Sequence, residues 1–542
     1  MARRILTTTT SDFRGGINYG ADAFQYGDNE VADARNVDFD VRGGFQQRDA
    51  IRAWNVTGFG SVPTSIWGYL SSGGTGRVMV QRGVTVTQCA TADGVFVNVG
   101  GITGSAGKMR AATVNDVCYM QRNAEATAVK WDGTTVTTLT DVAVAPSYTE
   151  YGVPVSGTAP KGRLVVAHNN MLFHGNLIEN AASRPHRIRW SHPVVHGGST
   201  LAECYRVNDF IDVNPGDGDA ITALVSFAGQ LMIFKDRTTW VLHGYDSDSF
   251  QLVQVSPALG AVSQEAVASA DNGVYFFSWP QGLCFYDGTS VTNLFERMIA
   301  LVEDKSVANA GNVTVGVVRD RVWVGLTLLD QVTNESTLVY DPRITSWTRY
   351  DAPCGAFLAY RLPLVAAQYF ALNPAAGRVL ELHGGALAQD RFTDVDLDID
   401  SWVRTTWQDL DDPAVVKRWK RPLVVCDGDV ASAVNVDIYK DYDASSSIGS
   451  FVILLDAAGV GSVWSDPSPL ATNGARWADT DGTGTAVGFW GNADTGAQVV
   501  EKGGILGTAR SVALKFSNTT TPSVAWGVSA LTYKYIPKKV KA

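Results

Sequence analysis

Two segments of the chain, far apart in sequence, are close copies of each other. They are Trp131-Asp-Gly-Thr-Thr-Val-Thr-Thr-Leu139 and Tyr286-Asp-Gly-Thr-Ser-Val-Thr-Asn-Leu294, which share six of nine residues at a separation of 286 − 131 = 155 positions. Each segment is typical of a β-hairpin: an aromatic residue ends one strand, Asp-Gly provides a turn with positive φ, and β-branched residues begin the next strand. A separation of 155 residues is three steps of about 50 residues, a period that predicts a β-propeller, because four-stranded blades bury both faces only by stacking on their neighbours.

Other strand ends at the same spacing extend this series. Trp190, Trp240 and Tyr340 follow it closely, and the strands around Val84 and Val379 follow it more weakly. Together with the two copied segments they make seven stations between residues 50 and 390, near 49 residues each. We therefore expect a propeller of about seven blades. The alternative is an ordinary β-sandwich in which two hairpins are alike by chance.

The composition indicates an all-β chain of several domains. With 542 residues, of which 45% are apolar, the chain exceeds what one core holds. It is rich in Gly, Val and Thr and poor in long amphipathic helical patterns. We expect an N-terminal arm over residues 1–50, the propeller over 51–393 and a C-terminal β-sandwich over 394–542.

The predicted arm is too polar to form a core of its own. It contains a candidate short helix near Asn29 to Arg35, and a Gly-Gly pair that predicts a hairpin between Asn36–Val41 and Phe45–Arg48. We expect this arm to pack on a partner or on its own propeller.

Charge and cysteine usage limit the partners and the compartment. The formal net charge is −10, so the chain as a whole is not suited to holding nucleic acid by neutralising phosphates. Two basic segments, Lys417–Arg421 and Lys534–Lys541, are expected to be solvated faces or subunit contacts. The six cysteines are dispersed without a Cys-x-x-Cys pair, and no secretory signal or membrane-length apolar run is evident. We expect synthesis and folding in a cytoplasm.

No constellation in the sequence assembles a catalytic, metal or cofactor site. The pair in His192-Pro-Val-Val-His196 has a spacing that presents two ligands together only on a helix, which Pro193 disfavours. The alternating aspartates of Asp394–Asp400 predict one half-buried strand and lack the Gly and Glu of a calcium loop. Gly104-Ser-Ala-Gly-Lys-Met109 does not complete a P-loop. We predict no enzymatic activity and no cofactor, although a buried carboxylate pair from distant positions stays open.

The first 50 residues resemble a known family. The segments are Phe13-Arg-Gly-Gly-Ile-Asn18, then Asp28-Asn-Glu-Val-Ala-Asp-Ala-Arg-Asn-Val-Asp38, then Arg42-Gly-Gly-Phe-Gln-Gln-Arg48. This opening resembles that of the tail nozzle (tail tubular protein B) and related hub proteins of tailed bacteriophages. The resemblance is close over residues 12–50 only, and several virion proteins share it.

The resemblance implies a structural virion protein. Such proteins form a ring, here expected to hold six copies, that continues the portal and adaptor channel, retains the packaged genome and conducts DNA during ejection. The implied partners are further copies of the chain, adaptor or head-to-tail connector proteins, tail fibres or spikes, and double-stranded DNA that passes without specific binding. An acidic wall fits this role because it repels phosphates, and a ring is the natural product of a heterologous interface that closes.

Two groups of residues are predicted to serve such a ring. The first comprises the arm residues expected to contact a neighbouring subunit or the adaptor: Phe13, Arg14, Gly15, Gly16, Asn18, Arg35, Asn36, Arg42, Gly43, Gly44 and Arg48. The second comprises acidic loop residues expected at a lumen gate or, equally, on an outer surface: Asp441, Asp443, Asp479 and Asp481.

Two other functions remain open from sequence. Propeller faces and sandwiches are common binding scaffolds, so a receptor- or glycan-binding virion protein is the main alternative. A propeller hydrolase or lyase acting on glycans is the second, and it lacks an identifiable site. The arm favours the structural interpretation, since it has no evident purpose in a monomeric lectin or enzyme.

Overall fold

A computed structural model of the chain describes residues 5–22, 24–55, 57–90, 94–100, 102, 107–123, 128–139, 160–179, 181–193, 203–205, 208–303, 307–328, 331–360, 368–374, 376–382, 393–394, 397–410, 412–428, 432–455, 490–491, 497–500, 507–518 and 526–538. The chain divides into two compact units. Unit 1 contains Met1–Arg52, Leu338–Asp351 and Gly385–Ala542, and unit 2 contains Ala53–Thr337 and Ala352–Gly384. The N-terminal segment therefore shares one unit with the C-terminal residues.

The N-terminal segment consists of short strands. They are β1 (Leu6–Thr10), β2 (Gly16–Ile17), β3 (Glu30–Arg35), β4 (Val37–Phe39), β5 (Phe45–Gln47) and β6 (Ile51–Ala53). The predicted hairpin is confirmed, since β4 and β5 pair antiparallel. The predicted helix near Asn29 to Arg35 is wrong: these residues form β3, which pairs with β2 on one side and with a C-terminal strand on the other. Pairing on both sides buries Val31, Ala32 and Ala34 and outweighs a weak helical preference.

Seven four-stranded sheets follow one another along the chain. The first three sheets are formed by β7 (Pro63–Leu70), β8 (Gly76–Arg82), β9 (Thr85–Cys89) and β10 (Val97–Asn98); by β11 (Arg110–Val114), β12 (Val117–Gln121), β13 (Val129–Trp131) and β14 (Val136–Thr138); and by β15 (Lys161–His168), β16 (Met171–Glu179), β17 (Ala182–Trp190) and β18 (Phe210–Asp212). The fourth and fifth are formed by β19 (Ile221–Phe227), β20 (Gln230–Lys235), β21 (Thr239–His243) and β22 (Gln251–Ser256), and by β23 (Val267–Ala270), β24 (Gly273–Ser278), β25 (Gly282–Tyr286) and β26 (Val291–Asn293). The sixth contains β27 (Thr314–Val318), β28 (Arg321–Leu326), β29 (Ser336–Asp341) and β30 (Ser346–Tyr350), and the seventh contains β31 (Phe357–Tyr360), β32 (Gln368–Asn373) and β33 (Arg378–Leu382) together with β6. A single short α-helix among the described residues, α1 (Ala300–Glu303), lies between the fifth and sixth sheets, and three 3-10 helices cover Gln264–Ala266, Glu296–Met298 and Val307–Asn312.

The arrangement of the first strands in unit 2 is that of a seven-bladed propeller. None of the sheets closes on itself; instead their first strands contact one another in the order β7, β11, β15, β19, β23, β27 and β31, and β31 contacts β7 again. The predicted β-propeller of about seven blades is confirmed. Six of the seven sequence stations lie in third strands, and the seventh, Val84, directly precedes one, β9. The six are Trp131, Trp190, Trp240, Tyr286, Tyr340 and Val379, in β13, β17, β21, β25, β29 and β33.

The core of unit 2 lies between neighbouring blades. One cluster joins Trp67 and Met79 of the first sheet to Cys118 and Trp131 of the second. Equivalent clusters join the second sheet to the third, the third to the fourth, and the fourth to the fifth. A further cluster joins the seventh sheet to the first, with Trp54 packed on Phe370 at 4.4 Å between ring centroids. At these five interfaces neighbouring blades bury their faces against each other, as stacked repeats must.

The copied segments adopt the same turn. In one, the Asp132 carboxylate accepts hydrogen bonds from the backbone N–H groups of Thr134 and Thr135, and in the other Asp287 accepts them from Thr289 and Ser290. Gly133 and Gly288 have φ of 98° and 101°, which a residue with a Cβ rarely adopts. The two turns belong to the second and fifth sheets, so the separation of three blades that the sequence predicts is confirmed.

Unit 1 is a β-sandwich to which both chain ends contribute. Its later strands are β34 (Thr393–Asp394), β35 (Leu397–Asp398), β36 (Trp402–Thr405), β37 (Lys417–Trp419), β38 (Leu423–Gly428), β39 (Ser432–Lys440), β40 (Gly449–Leu455), β41 (Trp490–Gly491), β42 (Ala497–Val500), β43 (Gly507–Ala509), β44 (Val512–Asn518) and β45 (Trp526–Pro537). One sheet has the order β2-β3-β36-β44-β39-β40; the other contains β4-β5-β45-β38-β42-β41, with β1, β37 and β43 beside them.

Aromatic side chains fill the space between these two sheets. Phe45 lies 6.1 Å from Trp526 within its own sheet and 6.0 Å from Phe516 of the opposite sheet. The predicted sandwich is confirmed, and strands of the N-terminal segment belong to both of its sheets. The single strand predicted for Asp394–Asp400 is wrong, because residues 393–394 and 397–398 pair with each other as two short strands.

Candidate functional site

The predicted assembly residues of the N-terminal segment lie together in unit 1, and most are not exposed. Two, Arg14 and Arg42, are exposed. Asn18, Arg35 and Gly44 are half-buried. Six are buried: Phe13, Gly15, Gly16, Asn36, Gly43 and Arg48. Whether any of them contacts another subunit stays a prediction, but the buried ones have a structural role within this unit.

Asn36 is the centre of this group. Its backbone N–H donates to the carbonyl of Arg349 at 2.8 Å, and its side-chain NH₂ donates to the carbonyl of Asp400 at 2.7 Å. The side-chain oxygen accepts from Arg48 Nε at 3.0 Å and from the backbone N–H of Asp351 at 2.9 Å. Asn36 thus joins three segments of unit 1 that are distant in sequence, and its φ of 54° is one that Asn tolerates better than most residues.

Arg48 and Asp38 complete a buried polar framework around Asn36. Arg48 is 1% exposed, donates its backbone N–H to the Asn36 carbonyl at 3.1 Å, and places its guanidinium 5.1 Å from the ring centre of Tyr350. The Tyr350 hydroxyl donates to the Asp38 carboxylate. We call Asn36, Asp38, Arg48 and Tyr350 the framework cluster. Buried polar groups of this kind stabilise only when they are paired, so loss of one partner is costly.

An ion pair borders the framework cluster. Arg35 Nε lies 2.9 Å from Asp351 Oδ2. Burial raises the pKa of the Asp351 carboxyl, and the neighbouring Arg35 only partly opposes this effect. Removal from water therefore dominates the electrostatics of this carboxylate.

The Gly-Gly-Ile segment fits closely against the rest of unit 1. A Cβ added to Gly16 would lie 2.7 Å from the carbonyl oxygen of Trp347, so a larger residue does not fit there. Asn18 donates to both carboxylate oxygens of Glu30 at 3.0 Å. The Gly-Gly pair and Asn18 therefore place β2 beside β3.

The two exposed arginines are held less tightly. Arg14 forms an ion pair with Asp12 at 2.8 Å, with about half of its side chain exposed. The backbone N–H of Arg42 donates to Asp40 at 3.1 Å at the tip of the β4–β5 hairpin. Of the predicted assembly residues, these two are the charged ones that are exposed, whereas Arg35 is half-buried.

The predicted gate residues are only partly described. Asp441 and Asp443 are exposed at the turn after β39, where Asp441 accepts from the backbone N–H of Arg510 at 2.7 Å and Asp443 from that of Ser445 at 2.9 Å. Asp479 and Asp481 lie outside the described residues.

Two of the histidines between residues 168 and 196 form separate hydrogen bonds. A ring nitrogen of His168 lies 2.8 Å from the Ser226 hydroxyl, and one of His174 lies 2.9 Å from the Tyr205 hydroxyl. Burial lowers the pKa of His174 to about 3, so this imidazole is neutral at physiological pH. His196 lies outside the described residues, among which no group of three metal-ligating side chains occurs.

A cavity on the axis of the propeller, which sequence reasoning missed, holds charged side chains. It has a volume of about 260 Å³ and is lined by residues from or beside the first strands of all seven sheets. Arg110 of the second sheet and Glu265, which precedes β23 in the fifth, form an ion pair of 2.7 Å. Their separation of 155 residues equals that of the copied turns, and three steps around seven blades reach nearly the opposite side of the axis. No motif in the sequence around Arg110 or Glu265 indicates that these two residues pair.

No helix among the described residues is long and apolar enough to span a membrane.

No family model matches the chain, and no curated protein matches it. Among solved structures, the chain is similar to one described as "YCF48 bound to D1 peptide", with 8% identity, a TM-score of 0.36 and coverage of 59% of this chain and 91% of the other. It is also similar to one described as "Crystal Structure of Mitotic Checkpoint Complex", with 10% identity, a TM-score of 0.35 and coverage of 59% and 88%. At such TM-scores neither similarity bears on function, and the propeller assignment depends on the sheets and their contacts.

Proposed function

We propose that this chain is a structural protein of a phage tail, in which about six copies form a ring that continues the portal and adaptor channel. The ring retains the packaged genome and conducts DNA during ejection. The observation that carries the proposal is that the three N-terminal segments with the family resemblance are hydrogen-bonded to one another. The backbone N–H groups of Phe13 and Gly15 donate to the carbonyls of Gly43 and Asn29, and Arg48 Nε donates to the side-chain oxygen of Asn36. The resemblance therefore covers an interlocked structural element.

The dimensions of the propeller axis support a ring of several copies. A sphere of the volume of the axial cavity, 260 Å³, is about 8 Å across, whereas the major groove of a DNA duplex alone is about 12 Å wide. The Arg110–Glu265 pair also crosses this cavity. Double-stranded DNA therefore has no path along the propeller axis, and the proposed lumen is enclosed between copies. The net charge of −10 favours sliding over adhesion along such a lumen.

The burial of the arm residues changes how assembly should be tested. Deleting residues 1–50 removes strands from both sheets of unit 1, so loss of assembly in that truncation would report unfolding. The charge reversals Arg14→Glu and Arg42→Glu alter only exposed side chains. If this surface contacts a neighbour, the double variant stays folded and assembles less than the wild-type chain.

Genome retention is the direct test of the proposed function. In phage particles assembled without this chain, we expect packaged DNA to become accessible to nuclease, as measured by quantitative PCR after nuclease treatment. Complementation with the wild-type chain should restore protection. Particles that keep their DNA but no longer adsorb to cells would contradict the proposal and favour the receptor- or glycan-binding alternative.

A further inference from the structure

The two basic segments of the sequence lie side by side in unit 1. β37, which belongs to the first segment, pairs antiparallel with β45, which leads into the second, and Arg418 lies opposite Ile536. Just after β37, the backbone N–H of Lys420 donates to the carbonyl of Lys534 at 2.7 Å. Segments that are distant in sequence therefore bring their cations to one part of the same sheet.

The cations of these strands project away from the interior of the sandwich. Lys417 and Trp419 are buried, and since side chains alternate along a strand, Arg418 between them projects to the opposite face, where it is exposed. Tyr533 is also buried and contacts Trp419, with 6.0 Å between the ring centroids. Its neighbour Lys534 therefore projects to the same outer face as Arg418.

The same alternation places Lys420 and Lys538 on this outer face, which we call the basic face, with the cations Arg418, Lys420, Lys534 and Lys538. Arg418 and Lys538 are exposed, and Lys420 and Lys534 are half-buried. The four strands of this part of the sheet, β1, β37, β43 and β45, contain no Asp or Glu. Lys420 and Lys534 are neighbours across the strand pair, and like charges in that arrangement are unfavourable. An anionic surface placed on the basic face is therefore stabilising.

An acidic surface of the same chain lies at one end of the propeller. In a sheet of four antiparallel strands, the turn between the first two strands lies at the same end as the turn between the last two. Because the blades repeat one topology around a common axis, such turns share one end of the propeller. Five of them, in the second, fourth, fifth and sixth sheets, carry one cation, Arg319, and the exposed aspartates Asp132, Asp246, Asp248, Asp271, Asp287 and Asp320. We call these six aspartates the acidic end.

Three carboxylates of the acidic end are held in place by their own turns. Asp132 and Asp287 each accept two hydrogen bonds from backbone N–H groups, and Asp246 accepts one from the backbone N–H of Ser249 at 2.9 Å. These hydrogen bonds lower the pKa of all three carboxyls, so the carboxylates are ionised at neutral pH. Charges that are fixed beforehand lose less conformational entropy when a partner binds.

Assembly of identical acidic copies needs a contact in which opposite charges meet. Each copy has a net charge of −10, so copies repel one another. We propose that the basic face of one copy binds the acidic end of the propeller of a second copy. Such a contact joins two different surfaces, and heterologous contacts of this kind generate a ring when the rotation closes. The inference rests on the proposed tail ring and specifies the surfaces that form it.

The same contact keeps the basic face away from DNA. Exposed lysines and arginines hold DNA by neutralising its phosphates, which opposes passage through a lumen. When the acidic end of a neighbouring copy covers the basic face, its four cations are not available to the DNA that the ring conducts.

Charge reversal on each surface tests this contact in the full chain. Arg418→Glu with Lys538→Glu reverses the basic face, and Asp248→Lys with Asp271→Lys reverses the acidic end; all four side chains are exposed. Ring formation is measured by sedimentation velocity at low and high NaCl concentration, with portal and adaptor proteins present. Each pair of reversals should weaken assembly about tenfold or more, because like charges then meet. Assembly of the wild-type chain should weaken as the salt concentration rises.

The matched control is Arg163→Glu with Arg237→Glu. Both arginines are exposed, and Arg237 lies in the turn between β20 and β21, at the opposite end of the propeller from the acidic end. This pair makes the same change in net charge as the basic-face reversal and should assemble like the wild-type chain. A chain with both the basic-face and the acidic-end reversals brings opposite charges together again, so it should assemble better than either pair alone.

The outcomes separate this inference from the proposed function. A ring that forms equally well in the wild-type chain and in the folded basic-face variant would overturn the inference and leave the proposed function intact, as would losses in the two pairs that are simply additive. A basic-face variant that assembles normally but loses affinity for a short DNA duplex, measured by fluorescence anisotropy, would assign the face to nucleic acid instead. A wild-type chain that stays monomeric with portal and adaptor would contradict the proposed function and the inference together.

Discussion

Units 1 and 2 are both made of β-sheets, but they are stabilised in different ways. Unit 2 repeats one element, and its core is a series of apolar clusters between successive blades. Unit 1 joins segments from both chain ends, and in addition to its aromatic core it depends on the buried polar framework cluster around Asn36 and Arg48. The difference teaches that a repeated fold can tolerate local variation in its apolar contacts, whereas a fold made from distant segments needs specific hydrogen bonds to define which segments pair.

The distribution of cysteines and histidines makes this comparison measurable. Five buried cysteines lie in unit 2, and Cys426 is the one cysteine in unit 1. Burial raises the pKa of the Cys118 and Cys284 thiols to about 12, so both are unreactive in the folded state. Thiol labelling read by mass spectrometry therefore reports the opening of each unit separately.

The largest effect is expected from a cavity between two blades. Trp131 is 1% exposed and packs 4.8 Å from Tyr69 between the first and second sheets. Trp131→Ala should cost about 3–5 kcal/mol in urea unfolding of unit 2 and should make Cys118, which belongs to the same cluster, react first. Cys426 should remain protected. Equal exposure of Cys426 would contradict the idea that the two cores are separate.

Loss of the framework cluster is the corresponding test for unit 1. Arg48→Ala leaves the buried Asn36 side chain without one of its donors, which should cost about 2–3 kcal/mol and expose Cys426 before the unit 2 cysteines. Arg14→Ala removes an exposed ion pair and should have little effect on the stability of unit 1. If Arg48→Ala were as mild as Arg14→Ala, the polar framework would not be what holds the chain ends together.

Acid should affect the contributions of His174 in unit 2 and Asp351 in unit 1 in opposite directions. All seven histidines lie in unit 2, and the folded-state pKa of His174 is lowered to about 3 by burial. Since the unfolded chain binds a proton near pH 6.5 and the folded chain does not, unit 2 loses stability as the pH falls from about 6.5 toward 3. In unit 1 the pKa of Asp351 is raised by burial, so its contribution to stability grows as the pH falls toward its unfolded value.

The variant His174→Gln sharpens this test. It should flatten the decline of unit 2 stability between pH 6.5 and 4, as followed by labelling of the unit 2 cysteines. His243→Gln, at a half-buried position, serves as the matched control. An unchanged pH profile in His174→Gln would show that another group causes the acid sensitivity.

The smallest effect is expected at the two copied turns. Hydrogen bonds from Thr135 and Thr134 lower the pKa of Asp132, and those from Ser290 and Thr289 lower the pKa of Asp287. Both contributions are present above pH about 3.8 and are lost as the pH falls through the folded-state pKa values. Asp132→Ala and Asp287→Ala should each lower the melting temperature slightly and by similar amounts. Clearly different losses would show that sequence identity does not imply equal roles.

The repeated fold of unit 2 could be predicted from the sequence, whereas the contacts that join the segments of unit 1 could not. The propeller and its blade number were predictable because the turn at Asp132 and the one at Asp287 repeat the same local chemistry at a fixed interval. The role of Asn36 and Arg48 was not, because their partners are more than 300 residues away or belong to a different strand, and nothing local specifies that pairing. Their motif was recognised by resemblance, but it was interpreted as a contact with a neighbour.

One wrong prediction and one missed feature have the same physical origin. The segment from Asn29 to Arg35 forms a strand because sheet partners on both sides determine its conformation. The ion pair between Arg110 and Glu265 depends on the closure of seven blades into a ring, which brings residues from nearly opposite sides together. In both cases long-range geometry outweighs local preference.

The mass and symmetry of the purified full chain test the proposed function most directly. Native mass spectrometry with negative-stain imaging, alone and with the portal and adaptor proteins, should reveal a closed ring of about six copies with a lumen outside the propeller axes. A chain that stays monomeric even with those partners would contradict the proposed tail conduit.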